Sequence, residues 1–133
     1  MTTLRAKALK LFQLKRRLEE ADDTGYCTCV TCGVSDHYTK MHGGHWIPKG
    51  SSSALAFDSK NVHAQCPGCN LFGMKYGSAA QAYTLFMIQQ YGEIEVERML
   101  ARRNETVKIY TAEYREMIKT LNAEIKQLKS RML

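Results

Sequence analysis

The sequence predicts an α+β fold, a core of short strands with flanking N- and C-terminal helices. Three observations predict it. Apolar residues recur every three or four positions towards both ends of the chain, the period of an amphipathic helix. The middle stretch, residues 26–77, holds all five cysteines, all four histidines and both prolines. Short β-type runs lie within that stretch and none is long enough for a large sheet. At 133 residues the chain has the size of one domain, divided here into an N-terminal basic helix (1–23), a core (26–77) and C-terminal helices (78–133).

The first helix spans Thr3 to Asp22, with Leu4, Ala8, Leu11, Leu14 and Leu18 on one face. Thr24 and Gly25 end it. In the core, Tyr38–Met41 and His45–Ile47 read as strands around a Gly43-Gly44 turn or bulge. Leu55–Phe57 is a further extended piece, so a distorted hairpin is expected. The pattern turns helical after Cys69. Ser78 is placed as N-cap of a helix through Tyr91, Gly92 stops it, and another helix follows from Glu93 to about Arg103. Thr111 is the expected N-cap of the last helix. Its residues Tyr114, Ile118, Leu121, Ile125, Leu128 and Met132 form a heptad-like seam, which could pack on the first helix or support a homodimer through the C-terminal helix.

A formal charge of +6 favours a polyanionic partner without naming one. No apolar run approaches the roughly eighteen residues of a bilayer span, so no membrane partner is expected. The N-terminus lacks the pattern of a secretory signal, which places the chain in a reducing cytoplasm. There, clustered cysteines hold metal more often than they form disulfides.

Cys29-Val30-Thr31-Cys32 and Cys66-Pro67-Gly68-Cys69 are two C-x-x-C knuckles able to supply four thiolates to one Zn²⁺. Such a zinc is structural, since four sulfurs leave no open position for water. Buried, unliganded cysteines or a redox pair are the bland alternative. Cys27 competes with Cys29 for the ligand position. The two-residue spacing to Cys32 favours Cys29 and leaves Cys27 a packed or spare thiol.

Between and beyond the knuckles lie Gly44-His45-Trp46, Asn61-Val62-His63 and Cys69-Asn70, the order of an HNH pattern in its His-Asn-Asn form. A neutral imidazole with a pKa near 6.5 can take a proton from water, so His45 fits a general base. A hard divalent ion, Mg²⁺ or Mn²⁺, would neutralise charge growing on the phosphate and leaving oxygen, with Asn70 as a ligand. Asn61 fits a brace for the loop carrying His45. His63 could reach the metal or a phosphate, or brace a knuckle. Trp46, next to His45 on the strand, is expected to point into the core, and His37 into solvent. Lys40, Lys49, Lys60 and Lys75 flank the site as candidate phosphate contacts. Arg5, Lys7, Lys10, Lys15, Arg16 and Arg17 could track a nucleic-acid backbone or simply form a solvated helix face.

These residues carry a resemblance to a known family. The first knuckle with Gly33, Gly44-His45 followed by an aromatic, Phe57-Asp58, Asn61-Val62-His63, Gln65-Cys66, Cys69-Asn70 and Tyr91-Gly92 resemble the phage NinG/Rap recombination nucleases of the HNH (ββα-metal) superfamily. The resemblance is strong over about half the chain and loose in the C-terminal helices. It implies a zinc-anchored ββα-metal core. It also implies a metal-dependent endonuclease acting on branched DNA such as D-loops and Holliday junctions, in the cytoplasm of a phage-infected bacterium. Asn70 also looks like the metal-binding Asn of the phage resolvase endonuclease VII. One departure stands out: many ββα-metal nucleases place Asp or His immediately before the catalytic His, and here that residue is Gly44, as in NinG-like proteins. A second ligand must come from elsewhere, with His42 and His63 as candidates and Asp58 a weaker one. The rival functions are a non-catalytic zinc module that binds nucleic acid or protein, and an HNH nickase of homing or restriction type.

Overall fold

Thr3 opens the first helix, its hydroxyl accepting the amide of Ala6 at 3.0 Å. The computed structural model describes residues 2–132. Helix α1 (Leu4–Glu20) buries Ala8, Leu9, Phe12 and Leu18. The Asp22 carboxylate then accepts the amides of Thr24 and Tyr26 and turns the chain into β1 (Tyr26–Thr28). Antiparallel to it runs β2 (Ser35–His37), pairing Tyr26 with His37 and Thr28 with Ser35, and the first knuckle lies at the tip of this hairpin.

The second sheet pairs β3 (His42–His45) with β4 (Val62–Gln65), in the register His42 to Gln65 and His45 to Val62. This corrects the expected hairpin in three ways. Tyr38–Lys40 is a turn of 3₁₀ helix, Gly43 and Gly44 lie inside β3, and the partner strand comes after a long loop that contains Leu55–Phe57 as a turn. The glycines serve close approach. A Cβ on Gly43 would sit 2.8 Å from the backbone of Gln13 in α1, and one on Gly44 would sit 1.8 Å from Gln65 Oε1. A larger residue at Gly43 would push on the α1 backbone, and one at Gly44 would have to displace the buried Gln65 side chain.

Pro67 leads into a π-helical turn, Gly68–Gly73, continued by a short helix α2 (Met74–Tyr76). Helix α3 (Ala79–Tyr91) follows. Ser78 stands at its N-cap position, but its side chain makes no capping bond. Gly92 ends α3 at φ +85° and α4 (Glu93–Arg102) starts directly. Helix α5 (Thr111–Ser130) is capped one residue earlier than expected, at Tyr110, whose amide donates to the Glu113 carboxylate.

The core is built in three clusters. Trp46 and Leu55 from the long loop pack with Tyr83, Met87, Val96 and Met99 of α3 and α4. Cys27, Cys29, Met41 and Ala64 pack where the two sheets meet. Phe12, Val62 and Leu121 join α1, β4 and α5. The heptad-like seam of α5 therefore buries Ile118, Leu121 and Ile125 within the chain, and Lys15 of α1 pairs with Glu124 of α5 beside it. A homodimer through these same residues would have to displace α1. Among the described residues the fold is mixed α+β, with five helices and two small antiparallel sheets. None of those helices is long and apolar enough to cross a membrane.

Candidate metal centre and histidine cavity

The sulfurs of Cys29, Cys32, Cys66 and Cys69 lie within 4.8 Å of one another. Tetrahedral Zn–S bonds of about 2.3 Å set ligand sulfurs about 3.8 Å apart, and Cys32 and Cys66 are 3.7 Å apart. The four side chains could hold one zinc ion. The backbone supports them: Cys29 and Val34 are joined by a turn, Gly33 adopts φ +83°, and the Val30 amide donates to Ala64 of β4. Burial works against a Cys29 thiolate, but hydrogen bonds from Thr31 and nearby amides outweigh it and bring that thiol down to about 6. Cys27 stands outside the cluster, 2 % exposed, with burial and the Glu20 carboxylate pushing its thiol up to about 11. Cys29, and not Cys27, is gathered with the other three sulfurs.

The second knuckle starts the π-helical turn that presents Asn70. Asn70 and His45, brought from the turn after β4 and from β3, line one cavity of about 310 Å³ with Gln13, Gly43, Lys49 and Met74 among its walls. His45, at the end of β3, is 8 % exposed and donates Nε2–H to the Ala56 carbonyl at 2.8 Å. That bond fixes the tautomer and leaves Nδ1 unprotonated. Burial lowers the His45 pKa below the usual imidazole value, and the positive charges of Lys49 and Arg5 add to the shift. Arg5 also holds the Lys49 segment, donating to the Lys49 carbonyl at 3.1 Å.

Asn61 is fully buried and uses its whole amide on backbone. Nδ2 donates to the carbonyls of Ile47 and Leu55, and Oδ1 accepts from Ile47 N–H. It thus closes the two ends of the loop that begins at His45 and contains Ala56. His42, one of the candidate ligands, touches Asn70. Its Nδ1 is 3.0 Å from Asn70 Nδ2, so it orients the amide and carries its own proton on Nε2.

Comparison with known proteins fits this chain into a family. The family model described as Bacteriophage Lambda NinG protein matches residues 5–131. The chain belongs to the NinG family. "Protein ninG" of Salmonella phage P22 is 30% identical over 99 residues, 70% of this chain and 47% of that protein. "Protein ninG" of Escherichia phage lambda is 27% identical over the same shares, and that of Escherichia phage 933W is 26% identical. The chain spans about half the length of the curated relatives it matches. No solved structure matches it.

In this NinG-family chain some expected residues stand apart from the cavity. His63, the other candidate ligand, pairs with Gly44, one position from the His45–Val62 pair, and so faces the other side of the sheet. There Nδ1 meets Glu20 at 2.5 Å, and Nε2 meets the Lys60 carbonyl and the Tyr91 hydroxyl, each at 3.0 Å. Asp58 caps the 3₁₀ turn at Ser59–Asn61 through Lys60 N–H. Of the four lysines, Lys49 alone lines the cavity. Lys40, on the 3₁₀ turn before β3, and Lys75, on α2, are exposed, and Lys60 pairs with Glu95 and stands over the Tyr91 ring.

Sequence reasoning missed Gln13, the Ala56 carbonyl and Tyr83. The Tyr83 hydroxyl donates to the Gly44 carbonyl at 2.7 Å and fixes the strand just before His45. No local pattern marks such partners, because they arrive through packing of distant segments. The Gly43-Gly44 pair was the one signal of a close approach from α1.

Proposed function

We propose that this NinG-family chain is a zinc-stabilised, divalent-metal-dependent DNA endonuclease of the HNH class, acting on branched phage DNA in the host cytoplasm. The observation that carries the reading is the shared cavity of His45 and Asn70, with the His45 ring pinned through Nε2 to Ala56. Pinned in this way, Nδ1 can accept a proton from an attacking water, and burial keeps the ring neutral at physiological pH. Lys49, on the cavity wall, would hold a substrate phosphate. The four cysteines would hold zinc and so anchor the turn bearing Asn70.

The donor set fits a hard, largely hydrated cation. Asn70 offers an amide oxygen, His42 fixes the orientation of that amide, and the remaining ligands would be water and substrate oxygen. Such an ion would supply neutralisation of charge on the scissile phosphate. Membership of a phage family and the charge of +6 support DNA as substrate.

A second reading, a non-catalytic zinc module, draws on one observation. Among the described residues, the cysteines are the only three or more His, Cys, Asp or Glu side chains gathered closely enough for a metal. Purified protein with Mg²⁺ or Mn²⁺ and forked, junction or duplex DNA separates the two. The nuclease reading predicts cleavage that His45→Ala slows by about 100- to 10 000-fold at unchanged zinc content. Undiminished cleavage by that variant refutes the assignment of the base, and binding without cleavage favours the module.

A further inference from the structure

The segment that carries Asn70 also carries a ridge of exposed apolar side chains. Leu71 is 67% exposed, Phe72 64% and Tyr76 68%. The rings of Phe72 and Tyr76 lie 5.2 Å apart at 47°, and the Lys75 ammonium stands 5.5 Å from the Tyr76 centroid. Leaving such rings in water costs stability that packing would recover, so the ridge points to an occupant.

Two observations say which. Asn70 and Met74, four residues apart, turn inward to the His45 cavity, and Phe72 and Tyr76 lie on the outer face of the same turn. From Gly68 to Gly77 the segment contains Lys75 and no acidic residue, in a chain of charge +6. Flat aromatic faces next to a cation match a base and its phosphate, since every base has a face to stack and an anion beside it. By contrast Leu85 and Ile94, exposed on α3 and α4, are aliphatic and present no ring for a base.

We propose that Phe72 and Tyr76, with Lys75, form a stacking platform for an unpaired base of the DNA substrate on the outer face of the turn that bears Asn70. The platform selects forks and junctions over continuous duplex, whose bases are already stacked. The inference rests on the nuclease reading for where the scissile strand lies.

The test measures binding in the His45→Ala background without added divalent ion, so that cleavage cannot intervene. The probes are a fork with 2-aminopurine at its first unpaired position and a duplex of equal length. Stacking predicts quenching of the fluorophore on binding. It also predicts that Phe72→Ala/Tyr76→Ala weakens fork binding at least about fivefold while duplex binding stays within about twofold. Phe72→Leu/Tyr76→Leu, which keeps apolar bulk, loses the quench as well, and it carries the test should the alanine variant fold poorly. Lys75→Gln weakens both DNAs and lowers the salt dependence by about one counterion. Fork affinity and quenching unchanged in the leucine variant overturn the proposal, as does a self-association that the ring substitutions abolish. Mg²⁺-dependent cleavage by the His45-containing chain is scored separately. Its absence with the quench intact rejects the nuclease and keeps the platform; its presence with unaltered fork binding in the ring variants does the reverse.

Discussion

At the scale of single residues, the account turns on how His45 is held. Its Nε2–H is committed to Ala56 and its ring is buried, so the basic nitrogen is defined and the protonated form is disfavoured. A lowered pKa means that the base form persists below pH 6.5 and is lost only as pH falls through the shifted value. The pH profile of kcat/KM is therefore expected to stay level near neutrality and to have its acid limb below 6.5. Lys49→Ala, which removes one of the charges that lower this pKa, moves the limb upward. An acid limb at or above 6.5 in the unsubstituted chain contradicts the burial argument. The residue types of this site were legible from their order along the chain. Which nitrogen is basic was not, because Ala56 meets His45 only after Asn61 has closed the intervening loop.

At the scale of elements, the fold depends on α1 lying almost in contact with β3. An alanine at Gly43 would put its methyl 2.8 Å from the Gln13 backbone, which cannot yield as a flexible side chain would. Gly43→Ala is expected to lower stability by about 1–3 kcal/mol in denaturant unfolding, whereas Gly50→Ala, where an added methyl meets nothing within 4 Å, leaves it nearly unchanged. Equal stability of the two variants contradicts the close approach. The helices were readable from local information: α1 and α5 lie close to where their apolar spacing places them, and α3 and α4 meet at Gly92, read as a stop. The strands were not, since two adjacent glycines are compatible with a turn or with a crowded strand, and only the tertiary partner decides. The side of the sheet taken by His63 was lost with the same register.

At the scale of the whole molecule, the four cysteines join the β1–β2 hairpin to the turn after β4, and the core cluster of Cys27, Cys29, Met41 and Ala64 packs at that junction. Purified protein is expected to contain one zinc per chain. Its removal by a strong chelator, or Cys32→Ser, should abolish the cooperative thermal transition, while Cys27→Ser keeps the metal because its sulfur lies outside the cluster. Full zinc content in Cys32→Ser contradicts the ligand set. The spacing of the knuckles made this site legible in advance. The placing of Asn70 against the His45 cavity, by contrast, is a product of the entire fold. Nuclear magnetic resonance of ring-¹⁵N-labelled histidines during titration with Mn²⁺ tests that placing most directly. The account predicts that paramagnetic broadening reaches His45 first, with His42 following through its contact with Asn70, and spares His63, which is held by Glu20, Lys60 and Tyr91, and that Asn70→Ala abolishes the selectivity. Broadening that reaches His63 as strongly as His45, or that is unaltered by Asn70→Ala, contradicts it.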